Sequence, residues 1–142
     1  MKKIIFLDFE GVLNTEYNQN LLMYHGKSRK DKYGAFFDPE TVAELKRIVE
    51  ETNADIVIES SWKYLGLEAM QQMWSDRNMP GKVIDITPSS ATDNMLLNAN
   101  LDEMNPAHTQ WKGVEIASWI ADNLQDEGRY VIIDDEYVIQ DS

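Results

Sequence analysis

The stretch Lys3-Ile4-Ile5-Phe6-Leu7-Asp8-Phe9-Glu10-Gly11-Val12-Leu13 constrains this chain more than any other. Four consecutive apolar residues, Ile4 to Leu7, run into Asp8, with Glu10 two positions on and Gly11 after it. An apolar run of this length fits a strand buried on both faces, as in a parallel sheet. Gly11 allows a sharp turn where the strand ends. Residues i and i+2 of an extended chain point the same way, so Asp8 and Glu10 can converge on one site. Open α/β sheets bind their ligands at that carboxyl end of the strands.

The following segments repeat an alternation. Asp38-Pro39-Glu40 reads as a helix start, and Val42, Leu45, Ile48 and Val49 continue at helical spacing to Asn53. Residues 54–59 form a second apolar strand, ending in Ser60-Ser61-Trp62. Leu67, Met70, Met73 and Trp74 mark a second helix, and residues 83–87 a third strand. A third helix is expected to start near Trp111 or Lys112, with Ile116, Ala117, Trp119, Ile120 and Leu124 on its apolar side and Gly128 just past its end. Tyr130 to Ile133 then leads into Asp134-Asp135. This order predicts an α/β fold with a mainly parallel sheet covered by helices. Right-handed crossovers would gather the strand ends on one rim.

The length of 142 residues suggests a single domain spanning 1–142, with two insertions. Residues 14–37 lack periodicity but hold many aromatics, which favours a small flap or hairpin over the site. Residues 88–111 read as an irregular insertion. The absence of cysteine excludes disulfides, thiolate zinc sites and a cysteine phosphatase mechanism. No window is long and apolar enough for a membrane span, and no signal-peptide pattern opens the chain, so a cytoplasmic protein without membrane association is expected. The net charge of −12 would repel nucleic acid, yet Lys27, Arg29, Lys30 and Lys32 fall together in the first insertion. They form either a solvated loop or a phosphate-binding patch.

Four polar features sit at element ends that share the expected rim: Asp8 with Glu10, Ser60 with Ser61, Lys112, and Asp134 with Asp135. Carboxylates from two strands can hold magnesium, which prefers oxygen ligands. Asp8 can attack phosphorus to give an aspartyl-phosphate. A serine hydroxyl and the Lys112 ammonium can hold phosphoryl oxygens. At a helix amino terminus Lys112 would oppose the dipole, so it is either an exposed lysine bearing a small cost or one held there by an anion, carboxylate or phosphate.

On these motifs the chain resembles the haloacid dehalogenase-like (HAD) superfamily of phosphohydrolases. The four matching pieces are Asp8-Phe9-Glu10-Gly11-Val12-Leu13, Ile56 to Ser61, Lys112-Gly113, and Val131 to Asp135. The Ser-Ser-Trp sequence is similar to small HAD domains of RNA-repair proteins, phage-encoded versions included. The resemblance implies a Rossmann-like fold without a full cap and a magnesium-dependent phosphatase. Nucleotides or nucleic-acid ends are its implied substrates. Asp8 would be nucleophile and metal ligand, with the backbone carbonyl of residue 10 as another ligand. Ser60 or Ser61 would bind phosphate, Lys112 would bridge nucleophile and phosphate, and Asp134 and Asp135 would complete the metal site.

The departure is Glu10, where the family usually has an aspartate acid/base. Glutamate has nearly the same acidity but one more methylene. It either works for a differently shaped substrate, slows hydrolysis of the intermediate, or marks a silent phosphate- or protein-binding domain. A receiver domain fits less well, because its lysine would follow the last acids. A dinucleotide fold lacks its Gly-x-Gly-x-x-Gly signature.

Overall fold

The computed structural model describes residues 2–88, 101–124 and 128–134, with backbone alone over 101–111. The elements are β1 (Lys2–Leu7), α1 (Glu16–Tyr24), β2 (Lys30–Asp31), β3 (Gly34–Ala35), α2 (Pro39–Thr52) and β4 (Asp55–Ile58). A 3-10 turn (Ser61–Leu65), α3 (Leu67–Asp76), β5 (Val83–Ile86), α4 (Leu101–Asn123) and β6 (Gly128–Ile133) follow. Four strands form one parallel sheet in the order β5-β4-β1-β6. The α/β class expected from the sequence is therefore present. Among the described residues, no helix is long and apolar enough to cross a membrane.

Strand parity divides the core into two layers. Ile4 and Phe6 of β1 join Val57 of β4 beneath Ile116, Trp119 and Leu124. Ile5 and Leu7 face the other way, with Ile56 and Ile58, onto Leu45 of α2 and Met70, Met73 and Trp74 of α3. The period-2 alternation of a strand thus gives β1 two apolar faces, both buried. Each large aliphatic or aromatic side chain so buried contributes roughly 1.5–3 kcal/mol.

α2 begins and ends as its sequence predicts. The Asp38 carboxylate accepts from the Glu40 N–H at 2.9 Å, and Asn53 closes the helix in the left-handed region with φ 58°. Three expectations need correction. First, residues 14–37 contain a helix as well as the hairpin β2–β3. α1 buries no apolar side chain, only Asn18, so it carries no hydrophobic period to read. Polar ties hold it instead. The Thr15 hydroxyl accepts from Asn18 N–H and donates to Asp38 at 2.6 Å, and the Asn18 amide donates to the Phe37 carbonyl.

Second, α4 starts at Leu101, so Lys112 lies inside a helix rather than at its amino terminus. Pro106 removes one backbone donor without ending the helix. Residues 89–100 of the expected irregular insertion lie outside the described residues. Third, Gly128 opens β6 opposite Lys2 rather than following the helix end. Its φ is +152°, and a Cβ there would lie 2.9 Å from the Lys2 carbonyl oxygen.

The hairpin is fastened by Arg77, just after α3. Its guanidinium donates to both Asp31 carboxylate oxygens, at 2.6 and 3.1 Å, and to the carbonyls of Gly34 and Ala35. It also lies 4.5 Å from the centre of the Phe37 ring. This hydrogen bonding holds the Asp31 carboxyl below its usual range. Arg77→Leu is expected to cost about 3 kcal/mol in urea unfolding, because it removes the charged partner of Asp31 and the side-chain donor to two carbonyls. Limited proteolysis should then cut first within the hairpin.

Candidate active site

The parallel ladder runs one residue beyond the strands. Asp8 N–H donates to the Ile133 carbonyl at 3.0 Å, Glu59 N–H to Leu7 at 2.9 Å, and Thr87 N–H to Ile58 at 3.1 Å. Asp8, Glu59, Thr87 and Asp134 are therefore neighbours along the carboxyl rim of the sheet. Asp8 has the parity of Ile4 and Phe6, and Asp134 that of Ile132, so both point toward α4. There they meet Lys112. Its Nζ donates to Asp8 at 3.3 Å and to Asp134 at 3.1 Å.

All three side chains are nearly closed to solvent. Two carboxylates and one ammonium carry a net charge of −1 when ionised. Burial, against the pull of Lys112 and with a further push from Asp134, raises the Asp8 carboxyl to about 7. The dipole argument for Lys112 does not apply inside α4; the carboxylates account for its position. Among the described residues no three of His, Cys, Asp and Glu gather as metal ligands. The Asp8–Asp134 pair nevertheless presents two hard oxygen donors with an excess of negative charge. Asp135 lies outside the described residues.

The two serines differ. Ser60 is 2% exposed, and its hydroxyl accepts from the Trp62 N–H to cap the 3-10 turn. Ser61 is exposed.

Glu10 is exposed, and Oε1 accepts from the indole Nε1–H of Trp62 at 2.9 Å. Gly11 adopts φ +76°, and its N–H donates to Asn14, so Asn14 serves the turn. Beside Glu10 opens a groove of about 720 Å³, lined in part by Asn14, Gln19, Asn20, Arg29 and Trp62. Of the basic cluster, Arg29 reaches this groove, Lys32 pairs with Asp76 at 3.9 Å, and Lys27 and Lys30 are exposed. Trp62 and Tyr33 are engaged in local packing. The Trp62 ring stacks on Phe37 and meets Phe9 edge-on, while Tyr33 packs by Arg77 and bonds Asp76. Tyr24 is 84% exposed.

A second buried charge cluster adjoins the first and has no counterpart in the sequence reading. Lys63 Nζ lies 3.3 Å from Glu59, 3.1 Å from Glu115 and 2.9 Å from the Thr87 hydroxyl, which itself bonds Glu59. Glu115 and Lys112 are three apart on α4 and so share a face. The spacing of Glu59 and Lys63 was the available signal. Burial raises Glu59 to about 8, against the pull of Lys63 and with a further push from Glu115.

Over residues 4–142 the chain matches the family described as the HAD domain in Swiss Army Knife RNA repair proteins. Comparison with curated proteins and with solved structures yields no match.

The Glu59 shift makes a signed prediction. The native chain holds a proton on Glu59 between roughly pH 4.5 and 8, where the unfolded chain has released it. The Glu59 contribution to stability is thus full below pH 4.5 and is lost as pH rises to about 8. Glu59→Gln should flatten the decline of unfolding free energy across this window, measured by urea titration at each pH.

Proposed function

This chain belongs to the HAD domain family of Swiss Army Knife RNA repair proteins, and from that premise we propose that it is a magnesium-dependent phosphatase acting on phosphorylated nucleic-acid ends. The observation that carries the reading is Asp8, buried at the sheet rim between Lys112 and Asp134. Asp8, Asp134 and the Glu10 backbone carbonyl would hold the ion, with Asp135 as a further carboxylate. Such a donor set suits magnesium, which uses one or two carboxylates and keeps several waters. The excess negative charge of the buried triad supports the fit. Bound there, magnesium would supply charge neutralisation between carboxylate and phosphoryl group.

The chain's own groups would perform the displacement. Lys112 holds Asp8 and lies ready for the phosphoryl oxygens, with Ser60 or Ser61 as a further donor. An Asp8 oxygen attacks phosphorus, the bond to the leaving oxygen breaks, and Glu10 gives that oxygen its proton. Glu10 then takes a proton from water as the water oxygen attacks phosphorus. The Asp8–phosphorus bond breaks, phosphate leaves, and both carboxyl groups return to their starting states. Asp8 must be ionised to attack, so Lys112 and the cation have to counter the effect of burial.

The family description points to RNA, and the open groove with Arg29 at its edge suits a polymer end. Lys27, before the hairpin, and Lys30, on it, would add exposed positive charge near that groove.

Wild-type protein is expected to release phosphate from 5′- or 3′-phosphorylated RNA in magnesium and to stop in excess EDTA. Asp8→Asn should lower kcat by about 1000-fold or more. Absence of turnover on RNA ends, DNA ends, nucleotides and an aryl phosphate, with oligonucleotide binding retained, would favour the silent binding domain. Replacing Lys27, Arg29, Lys30 and Lys32 with glutamine should raise KM for oligonucleotides and flatten its salt dependence, by roughly 0.7 in log–log slope per lost phosphate contact. An unchanged slope would remove their role.

A further inference from the structure

Glu10 departs from the family pattern, and the structure gives its side chain a specific partner. The indole Nε1–H of Trp62 donates to Oε1 at 2.9 Å. An indole is a donor only, so it has one use for a carboxylate and cannot reverse its role. One oxygen is thereby fixed, and the other keeps its capacity for proton transfer.

Trp62 is itself held on several sides. Its ring stacks on Phe37 at 5.8 Å between centroids and 28° between planes, and it meets Phe9 edge-on at 5.2 Å. The Arg77 guanidinium lies 5.7 Å from the ring centre. Gly34 of the fastened hairpin sits so close that an added Cβ would fall 2.8 Å from Trp62 Cη2. The Trp62 backbone N–H is committed to Ser60. The other end of Glu10 is anchored too, since Phe9, fully buried, packs on Trp62, Phe37 and Trp74. Two rigid points therefore bracket the Glu10 side chain. An aspartate, shorter by one carbon–carbon bond of about 1.5 Å, would not span them.

We propose that Trp62 is the positioning residue for Glu10: its indole N–H sets the glutamate carboxylate at the mouth of the Arg29-lined groove, where the departing oxygen leaves. Glu10 and Trp62 are a matched pair that replaces the shorter acid. The inference rests on the phosphatase reading above and adds to it the residue that orients the acid/base. Positioning errors of about 1 Å cost up to ~100-fold in rate, so a lost tether has a measurable effect.

The test uses full-length protein with magnesium and two substrates that differ in leaving group. A nucleoside monophosphate expels an alkoxide and needs proton donation, whereas p-nitrophenyl phosphate expels a stable phenolate and needs little. In W62F the ratio of kcat/KM for the nucleotide to that for the aryl ester should fall about tenfold, the effect of losing one charge-assisted hydrogen bond. E10D should be poorer than wild type on the nucleotide, and that difference should vanish in the W62F background. A second measurement needs no turnover. In protein labelled with ¹⁵N at tryptophan, the Trp62 indole signal should shift in E10A while the other indole signals hold. E10A leaves the aromatic cluster intact, so this measurement decides the matter even if W62F fails to fold. Equal loss on both substrates, or an unmoved indole signal, overturns the positioning role while leaving the phosphatase reading standing. Absence of turnover by wild type on either ester overturns both.

Discussion

Two neighbouring parallel strands that end in acids impose a physical demand that the rest of this structure answers. The register of β1 with β6 sets Asp8 beside Asp134 on one face of the sheet, away from water. Like charges so placed repel, and burial penalises each of them. Lys112 meets both, and it can do so only because α4 lies across that face. The apolar stripe of Ile116 and Trp119 seats the helix on Ile4, Phe6 and Val57. The same helix carries Glu115 to Lys63, so a second ion cluster locks it against the rim. Packing and electrostatics are thus interdependent: the core places the lysine, and the charges select one setting of the helix.

The strands, α2 and α3 were legible because their signals are local. A fully apolar run, a capping aspartate followed by proline, and methionines at helical spacing all report structure within a few residues. Asp8 and Asp134 were legible for the same reason, since each ends such a run. What escaped was carried by polar contacts between distant segments. α1 buries Asn18 rather than a hydrophobic stripe, and its attachment to Asp38 spans 23 positions. The helical start at Leu101 was hidden by a stretch whose composition resembles a loop. The Lys63 cluster draws one residue each from four segments, and the spacing of Glu59 and Lys63 points to only one pair within it.

Glu10 illustrates a further limit of reading residues singly. Judged by itself, the extra methylene looks like a flaw in an otherwise intact motif. Beside Trp62 it has a reach that a shorter side chain would lack. The two positions lie 52 residues apart, and each is intelligible only with the other. A substitution relative to a family pattern thus says little until the partner of the changed group is known.

The fastening of the hairpin by Arg77 has a consequence for how this protein can diversify. Arg77 grips the backbone carbonyls of Gly34 and Ala35 and one carboxylate, Asp31. Carbonyls are supplied by every amino acid. The attachment therefore asks little of the outward side chain at Lys30, whereas Lys32 adds an exposed pair with Asp76. Such a mount separates the durability of the arm from the identity of its outward side chains, while Gly34 stays fixed by its close approach to Trp62.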